Sequence, residues 1–397
     1  MSKIDELLKN EKVEWKKLGE VCEFQRGNTI TKKDIIDGNI PVIAGGQKPA
    51  YYHGVSNRDG VTIAVAGSGA YAGFVSYWDE PIFLSDAFSI EPNKNLNKRY
   101  LYHWLLSIQH KIFELKQGSS IPHVYGKDLG RFEIPIPPLE AQEKIVKTLD
   151  KFTDYISELK IELEARKKQY EYYRDMILSE EYLQELSKNP EILGGGYRLI
   201  QITLGEIGEI KMCKRILKDQ TFPQGDIPFY KIGTFGKRAD AFIKRDLFNE
   251  YKEKYSYPRK GEILISASGT IGRAVIFDGN DAYFQDSNIV WIDNNEELVL
   301  NKYLYYFYQI VNWNPSSGGT IKRIYNYNLK NIKIILPPIE IQNKVVEVLD
   351  KFQDLLSDTQ GLLPEEIEQR QKQYEYYREK LLTFNENMVQ VKSSQNS

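Results

Sequence analysis

The stretch IPPLEAQEKIVKTLDKF at residues 136–152 decides the organisation of the chain, because it returns as LPPIEIQNKVVEVLDKF at residues 336–352. A second shared segment follows each copy, KKQYEYYRDMIL at 167–178 and QKQYEYYREKLL at 371–382. The offset between the copies is 200 residues in the first segment and 204 in the second. The chain is therefore an internal duplication whose second copy carries four extra residues.

Both copies have the apolar spacing of a coiled-coil helix. Apolar and aromatic residues recur at alternating steps of three and four, which is the a/d spacing of a heptad repeat, and a pair of prolines blocks helix before each copy. One such stripe alone fits packing within its own domain, whereas two matching stripes favour pairing with each other. The side chains predicted to form the helix contact are Leu149, Phe152, Ile156, Leu159, Leu163, Tyr170, Tyr173, Ile177, Leu349, Phe352, Leu356, Tyr374, Tyr377 and Leu381.

The four extra residues fall near Gly361–Pro364. Four residues inserted into a heptad repeat form a stutter, which nearly preserves the apolar face of a continuous helix. Glycine and proline together cost about 4 kcal/mol in a helix interior, however, and a proline followed by two glutamates suits the first turn of a new helix. We therefore expect a break in the second helix at this point.

The composition of the 397 residues excludes several classes of protein. Charged residues make up 27%, no apolar run approaches the roughly 18 residues that span a bilayer, and the first residues lack the apolar core of a secretory signal. Cys22 and Cys213 lie far apart and outside any metal-ligand spacing, which is typical of small buried residues in a reducing compartment. We expect a soluble, cytoplasmic protein of two or three domains without a metal site.

The net charge of -2 conceals an uneven distribution of charge. Residues 214–273 hold 13 Lys and Arg against 7 Asp and Glu, whereas residues 346–390 hold 5 against 10. A basic module joined to an acidic helix can bind phosphate locally while the helix contacts other protein.

A module of mixed α and β pattern precedes each helix. In the first module, runs rich in Val, Ile, Phe and Tyr at Ile40–Ala44, Val61–Ala66 and Phe74–Trp78 predict strands, and the apolar spacing of Tyr100–Leu115 predicts a helix. The second module repeats sparse landmarks of the first: Leu18–Glu20 at Leu204–Glu206, Ser68 at Ser268, Asp86 at Asp286, and Tyr100–Tyr102 at Tyr303–Tyr305.

The predicted fold class is α+β, with two mixed α/β modules in a duplicated, pseudo-two-fold arrangement. Only about eight residues separate the first helix from the second module, so the second helix buries its stripe most simply by running back along the first as an antiparallel intramolecular coiled coil. The predicted boundaries are a first module at 1–135, a first helical region at 136–190, a second module at 191–335, a second helical region at 336–390 and a disordered tail at 391–397.

No catalytic constellation recurs in both modules. Gly67–Gly73 resembles a dinucleotide fingerprint, but its third glycine is one place late and the lysine of a P-loop is absent. A tight turn explains these glycines better. All four histidines lie in the first module, so a duplicated function does not use histidine, and a metabolic enzyme is the weakest interpretation.

Both modules keep polar and aromatic residues suited to DNA, since Arg and Lys pair with phosphate or guanine, and Asn and Gln with adenine. Each of these residues also fits a solvated surface position. The candidates in the first module are Arg26, Asn28, Gln47, Lys48, Tyr51, Tyr52, His53, Ser68, Tyr71, Ser119, Ser120 and His123. The candidates in the second are Lys214, Arg215, Lys231, Thr234, Lys237, Arg238, Ser268, Thr270, Arg273, Gly319, Thr320, Lys322, Arg323 and Tyr325.

Three features together resemble the DNA-specificity (S) subunits of type I restriction-modification enzymes. They are the blocks Pro-Pro-Leu-Glu-Ala-Gln-Glu at 137–143 and Pro-Pro-Ile-Glu-Ile-Gln-Asn at 337–343, the opening Trp15–Val21, and the alternation of divergent modules with similar helices. The resemblance covers essentially the whole chain, although the second module lacks the opening tryptophan.

This resemblance implies a non-catalytic protein in which each module reads one half of a split DNA site. It implies that the helices hold two methyltransferase (M) subunits, which restriction/motor (R) subunits join for cleavage. It places S-adenosylmethionine, ATP and magnesium on those partners, and no cofactor on this chain. The alternative function is a bivalent protein-binding coiled-coil adaptor, whose binding would lack the steep salt dependence of phosphate contacts.

Overall fold

The structure is a computed structural model that describes residues 12–188, 198–315 and 322–384. The chain forms two compact units, Met1–Glu162 with Leu362–Ser397, and Leu163–Gly361. Each unit contains one module, a part of the helix that follows it and a part of the other long helix. The predicted tail at 391–397 and the predicted boundary at 190 lie outside the described residues, and the other module boundaries stay predictions.

The first module is built on β-sheets. Its strands are β1 (Glu14–Lys17), β2 (Cys22–Arg26), β3 (Ile40–Ile43), β4 (Tyr51–His53), β5 (Thr62–Ala66), β6 (Val75–Trp78), β7 (Phe83–Leu84), β8 (Ala87–Pro92) and β9 (Glu133–Ile136). A four-stranded antiparallel sheet has the order β2-β8-β5-β6, and a three-stranded sheet has the order β4-β3-β7 with β3 and β7 parallel, while β1 pairs with β9. The three runs that the sequence predicted as strands form β3, β5 and β6.

The second module repeats this topology strand for strand. Its strands are β10 (Ile200–Thr203), β11 (Gly208–Lys211), β12 (Ile227–Tyr230), β13 (Phe242–Ile243), β14 (Ile263–Ser266), β15 (Ala274–Ile276), β16 (Tyr283–Phe284), β17 (Ile289–Asn294) and β18 (Lys333–Leu336). The sheet orders are β11-β17-β14-β15 and β13-β12-β16, and β10 pairs with β18. The duplication therefore extends to the sheets, although the sequences of the modules diverge.

Short helices connect the strands, and a long helix follows each module. The helix predicted at 100–115 is divided at Ile108, whose φ of -103° and ψ of 15° interrupt it. The helices are α1 (Leu18–Val21), α2 (Lys98–Ser107), α3 (Gln109–Glu114), α4 (Gly126–Leu129), α5 (Leu139–Ile177), α6 (Glu180–Lys188), α7 (Leu204–Ile207), α8 (Arg245–Lys254), α9 (Asn301–Ile310), α10 (Asn326–Lys330) and α11 (Ile339–Leu382). Two 3-10 turns lie at Lys32–Asp34 and Lys218–Gln220.

In the first unit the two long helices run antiparallel. Phe152 of α5 stacks on Tyr377 of α11 with ring centroids 5.3 Å apart, and the Arg370 guanidinium lies over the Tyr155 ring at 5.4 Å. Residue numbers therefore rise along one helix as they fall along the other. The helices and the module share one buried cluster, which includes Leu149, Ile156, Tyr374, Leu381, Ile63, Ile90 and Leu101.

The second unit repeats this packing. Tyr173 of α5 stacks on Phe352 of α11 at 5.4 Å, and Ile177 and Leu349 are buried in one cluster with the residues of the second module. The predicted antiparallel pairing of the two helices is thus confirmed within each unit. Of the remaining predicted contact residues, Leu159, Tyr170 and Leu356 are buried and Leu163 is half-buried.

A buried glutamine fixes the start of α5. Gln142 is 0% exposed. Its Nε2 donates to the carbonyl oxygens of Asn95 at 3.0 Å and Pro137 at 2.8 Å, and its Oε1 accepts from the Asn97 N–H at 2.7 Å. The side chain therefore ties the segment before α2 to the N-terminus of α5, with every amide group paired as a buried polar group requires.

Gln342 makes the equivalent contacts at the start of α11. It is also 0% exposed, donates to the carbonyls of Leu298 at 3.0 Å and Pro337 at 2.9 Å, and accepts from the Leu300 N–H at 3.0 Å. We call this set of bonds the glutamine clamp. It gives a physical reason for the repeated Pro-Pro-x-Glu-x-Gln block.

The repeated aspartate of each Leu-Asp-Lys-Phe block forms a second polar link between helix and module. Asp150 accepts from Arg99 Nε and His103 Nε2, both at 2.8 Å. The His103 Nδ1 lies 3.0 Å from the Tyr374 hydroxyl, and burial lowers the pKa of His103 although Asp150 opposes this shift. Asp350 likewise accepts from the Tyr306 hydroxyl at 2.7 Å.

The predicted break at Gly361–Pro364 is wrong, because α11 continues through both residues. Leu363 and Ile367 are half-buried, whereas Pro364 and Glu365 between them are exposed, and Ile367 packs on the cluster of the first unit. The extra four residues therefore act as a stutter that keeps the apolar face. Pro364 leaves the Gln360 carbonyl without its helical donor, but both residues are exposed, so water solvates that carbonyl.

Replacing Gln142 with alanine is expected to lower the free energy of unfolding by about 3 kcal/mol, because buried carbonyl and N–H groups lose their partners. Gln342→Ala is expected to have a similar effect. Urea unfolding monitored by circular dichroism measures both. Gln371→Ala removes only an exposed hydrogen bond to Glu375 and is the matched control, with an expected change within about 0.5 kcal/mol. Three equal effects would contradict the clamp.

Pro364→Ala is expected to raise the free energy of unfolding by up to about 3 kcal/mol, and Gly361→Ala by about 1 kcal/mol, since both residues stand inside a continuous helix. A Cβ at Gly361 would meet no atom within 4 Å, so the substitution introduces no clash. The same urea unfolding measures the changes. A loss of stability in Gly361→Ala would instead indicate a helix end, where glycine is favoured.

Candidate nucleic-acid interface

Several loops of the first module meet at one end of its sheets. Strand β2 ends at Arg26, and the Asn28 N–H just after it donates to the Leu84 carbonyl at 2.9 Å. The loop after β3 lies against the loop after β5, since a Cβ on Gly45 would come 2.4 Å from the Ser68 carbonyl oxygen. The loop after β2 therefore lies against β7, and the predicted residues after β3 and after β5 lie on two loops that contact each other.

A hairpin closed by two backbone hydrogen bonds between Gln117 and His123 joins this end of the module. The two N–H···O distances are 2.9 and 2.8 Å. Gly118 adopts a φ of +101°, which turns the chain, and Ser119 and Ser120 are exposed near the tip. The hairpin therefore presents two predicted hydroxyls to solvent.

The base of this hairpin crosses the loop after β5. The Gly69 N–H donates to the Pro122 carbonyl at 2.9 Å, and the Val124 N–H donates to the Gly67 carbonyl at 3.0 Å. We call residues 67–69 with residues 122–124 the first loop crossing. Backbone groups make these bonds, so the crossing does not depend on which side chains it carries.

Asp86 closes the first loop crossing. Its carbonyl accepts from the Gly67 N–H at 2.9 Å, and its carboxylate accepts from the Ser68 hydroxyl. The His123 ring lies on the crossing, with Nδ1 2.8 Å from the Ile121 carbonyl. Since a carbonyl only accepts, Nδ1 carries the proton, and Nε2 of the neutral ring is an acceptor.

The second module has an equivalent crossing. The Gly269 N–H donates to the Lys322 carbonyl at 3.3 Å, and the Ile324 N–H donates to the Ala267 carbonyl at 2.8 Å. We call residues 267–269 with residues 322–324 the second loop crossing. Thr320 and Gly319, which were predicted beside it, lie outside the described residues.

Asn288 occupies the place of Asp86 in the second loop crossing. Its carbonyl accepts from the Ala267 N–H at 2.7 Å and its Oδ1 accepts from the Ser268 hydroxyl at 2.6 Å. The expected equivalence of Asp286 with Asp86 is therefore wrong. The connection between β16 and β17 has two more residues than that between β7 and β8, and it turns through Ser287 with φ +54°.

The second module carries basic residues on its loops and on the second loop crossing. They come from the loop after β11, the loop after β12 and the crossing itself. The loop after β12 contacts the loop after β14, because Arg273 Nη1 donates to the Phe235 carbonyl at 2.7 Å. Lys231 is half-buried and pairs with Asp240 at 2.8 Å. The exposed members are Lys214, Arg215, Lys237, Arg238, Lys322 and Arg323.

Four predicted residues have their side chains occupied inside the protein. Ser268 is 3% exposed, and His53 is 4% exposed and accepts from the Ile36 N–H at 3.0 Å. The Arg273 guanidinium donates to the Phe235 carbonyl, and the Thr234 hydroxyl donates to the Lys231 carbonyl at 3.3 Å. These groups position the loops rather than meet a ligand.

The remaining predicted residues lie at the surface. Tyr51 is half-buried on β4 and its neighbour Tyr52 is exposed. Sequence reasoning did not select Tyr125, whose ring stacks on His123 with centroids 6.1 Å apart, although its alignment with Tyr325 was a signal for it. The other exposed members are Arg26, Asn28, Gln47, Lys48, Tyr71, Thr270 and Tyr325.

The site has no features of a metal or thiol centre. In the ranges 12–188, 198–315 and 322–384, no group of three or more His, Cys, Asp and Glu side chains is placed to hold a metal ion. Burial raises the pKa of Cys22 and of Cys213 to about 12, so their thiols stay protonated and unreactive at neutral pH.

None of the helices in the ranges 12–188, 198–315 and 322–384 combines the length and apolarity needed to cross a membrane.

Sequence comparison identifies relatives over the whole chain. The family described as type I restriction modification DNA specificity domain matches residues 10–166 and 201–369. A Haemophilus influenzae protein that carries the name of a type I restriction enzyme specificity subunit is 45% identical over 402 residues, which cover 96% of this chain and 98% of that protein. The EcoR124I/EcoR124II specificity subunit of Escherichia coli is 28% identical, with 97% of each chain covered.

Structure comparison finds the same fold in solved proteins. The S subunit of a type I restriction-modification system from M. genitalium aligns with a TM-score of 0.55 at 18% identity, over 95% of this chain and 98% of that one. A chain from a study of complex assembly and conformational transition of the type I system aligns with a TM-score of 0.58 at 19% identity, over 93% and 97%.

Proposed function

This chain belongs to the type I restriction-modification DNA specificity family, and we propose that it reads a bipartite DNA site, with one half-site recognised by each module. Like the specificity subunits of this family, it is non-catalytic. The observation that carries the proposal is the pair of equivalent loop crossings, each with exposed polar side chains beside it. If each module recognises DNA through its own crossing, the target contains two half-sites.

The exposed basic residues of the loops and the exposed side chains on the loop crossings have different roles in the proposed recognition. Lys237 and Arg238 in the loop after β12, and Lys214 and Arg215 after β11, meet phosphates, which position the protein without reading sequence. The side chains on the loop crossings meet base edges, where hydrogen bonds discriminate between bases. We expect half-sites about one helical turn apart, centre to centre, as for two-fold modules on one face of a duplex.

We further propose that α5 and α11 hold two methyltransferase (M) subunits, and that restriction/motor (R) subunits join this assembly for cleavage. The inward faces of both helices are already buried, yet large apolar side chains remain on their outer faces, with Ile161 69%, Tyr172 65% and Leu355 63% exposed. A bound protein that covers these side chains would remove apolar surface from water, which favours association. S-adenosylmethionine, ATP and magnesium then belong to the partners, and the complex works on DNA in the cytoplasm.

Loss of two cations beside the second loop crossing is expected to reduce the salt dependence of DNA binding. In Lys237→Ala/Arg238→Ala, the slope of log affinity against log salt should become shallower by about 1.8, because each phosphate contact contributes about 0.9. Fluorescence anisotropy of the complex with its M subunits on a labelled duplex measures the slope.

Lys333→Ala is the matched control, since Lys333 is an exposed cation of the same module on β18, and its slope should equal that of the wild type. The bivalent protein-binding adaptor predicts no DNA affinity in any variant. Equal slopes in all three proteins would place the phosphate contacts elsewhere.

Exchange of residues 1–131 for the equivalent module of a relative with a different target is expected to change one half-site and leave the other intact. The reason is that each module has its own core and its own loop crossing. Binding of the chimeric complex to duplexes with either half replaced measures the outcome. A change in both halves would show that the modules do not read DNA independently.

A further inference from the structure

We infer that residues 123 and 323 are equivalent specificity-determining positions, and that they select different classes of base in the two half-sites. His123, with Asp86 beside it, takes a base that offers an amino donor, adenine or cytosine, whereas Arg323 takes guanine. This inference rests on the proposed function, because it names the bases that each module reads.

The backbone establishes the equivalence of the two positions. His123 forms a β-bridge with Ser68, and Arg323 forms the same antiparallel bridge with Ser268. The next residue on each strand is a buried apolar anchor, Val124 at 2% and Ile324 at 6% exposed. The two side chains therefore leave the protein from the same place in the same fold.

The residues around these positions divide into kept and changed ones. The serine of the bridge is the same in both crossings, and so is the exposed tyrosine two residues after the variable position, Tyr125 at 40% and Tyr325 at 57% exposed. The changed polar positions are His123 against Arg323, Asp86 against Asn288 and Pro122 against Lys322. The same backbone bonds with different polar side chains are what two modules that read different sequences require.

The first loop crossing presents acceptors. Because Nδ1 of His123 donates to the Ile121 carbonyl at 2.8 Å, Nε2 accepts when the ring is neutral. Asp86 is exposed, and one of its carboxylate oxygens accepts from Ser68 while the carboxylate keeps further acceptor capacity. In the major groove the amino groups of adenine N6 and cytosine N4 are the donors that match acceptors.

The second loop crossing presents donors. Arg323 is exposed, and a guanidinium carries donors without an acceptor. The carboxylate of the first crossing is replaced by the Asn288 amide, whose oxygen is used by Ser268 at 2.6 Å. Guanine offers O6 and N7 side by side, which is the pair that an arginine binds with two hydrogen bonds.

The test measures binding of the purified complex of this chain with its M subunits to duplexes in which each base pair of the target is changed in turn. In the wild type, replacing the guanine read by Arg323 should weaken binding about 5- to 150-fold. In Arg323→His this ratio should fall towards one, whereas in Arg323→Lys it should fall only in part because lysine still donates to guanine, with all ratios in the other half-site unchanged. His123→Arg should shift one position of the first half-site to guanine.

The control is His110→Arg, the same exchange at an exposed position of α3 in the first module. It should leave every binding ratio as in the wild type. Unchanged ratios in both the His123 and Arg323 variants would overturn the inference. So would an equal loss of binding to all sequences, because it would assign Arg323 to a phosphate. A wild-type complex that shows no discrimination at any pair would instead overturn the proposed function itself.

Discussion

The buried amide at the root of each long helix is the constraint on which the rest of the structure depends. An unpaired amide would be costly in a core, so Gln142 and Gln342 hold the chain where all of their polar groups are satisfied. Each clamp joins the segment before α2 or α9 to the first turn of α5 or α11. The module and the helix that follows it therefore keep one geometry in both units, whatever the loops of the module carry.

The proposed recognition loops meet the opposite requirement, because their backbones keep one position while their side chains differ between the modules. The loop crossings are held by backbone hydrogen bonds such as Val124 to Gly67 and Ile324 to Ala267. Backbone donors and acceptors are present in almost any sequence. The side chains at the exposed positions are therefore not needed to hold the loops in place. This separation explains how two modules of one topology differ so widely in sequence.

The sequence predicted those features that depend on periodicity and repetition. The duplication, the strands β3, β5 and β6, and the antiparallel pairing of α5 with α11 follow from patterns that local chemistry imposes. The break at Pro364 was wrong because helix propensity is a weak guide that tertiary packing overrides, and Ile367, just beyond Pro364, packs on the cluster of the first unit. Asp286 was misaligned with Asp86 because the sequences diverge so widely in this region that the two added residues between β16 and β17 cannot be located by alignment. Burial of Ser268 and His53 arises from tertiary packing, which residue type alone does not indicate.

Selection of bound DNA from a randomised pool, by the wild-type chain assembled with its M subunits, tests most directly that one chain carries two independent readers. The expected result is a motif of two specified blocks separated by a constant number of unspecified bases, because one chain carries two crossings that contact two places on one duplex. A single continuous block, or enrichment without any motif, would contradict that organisation.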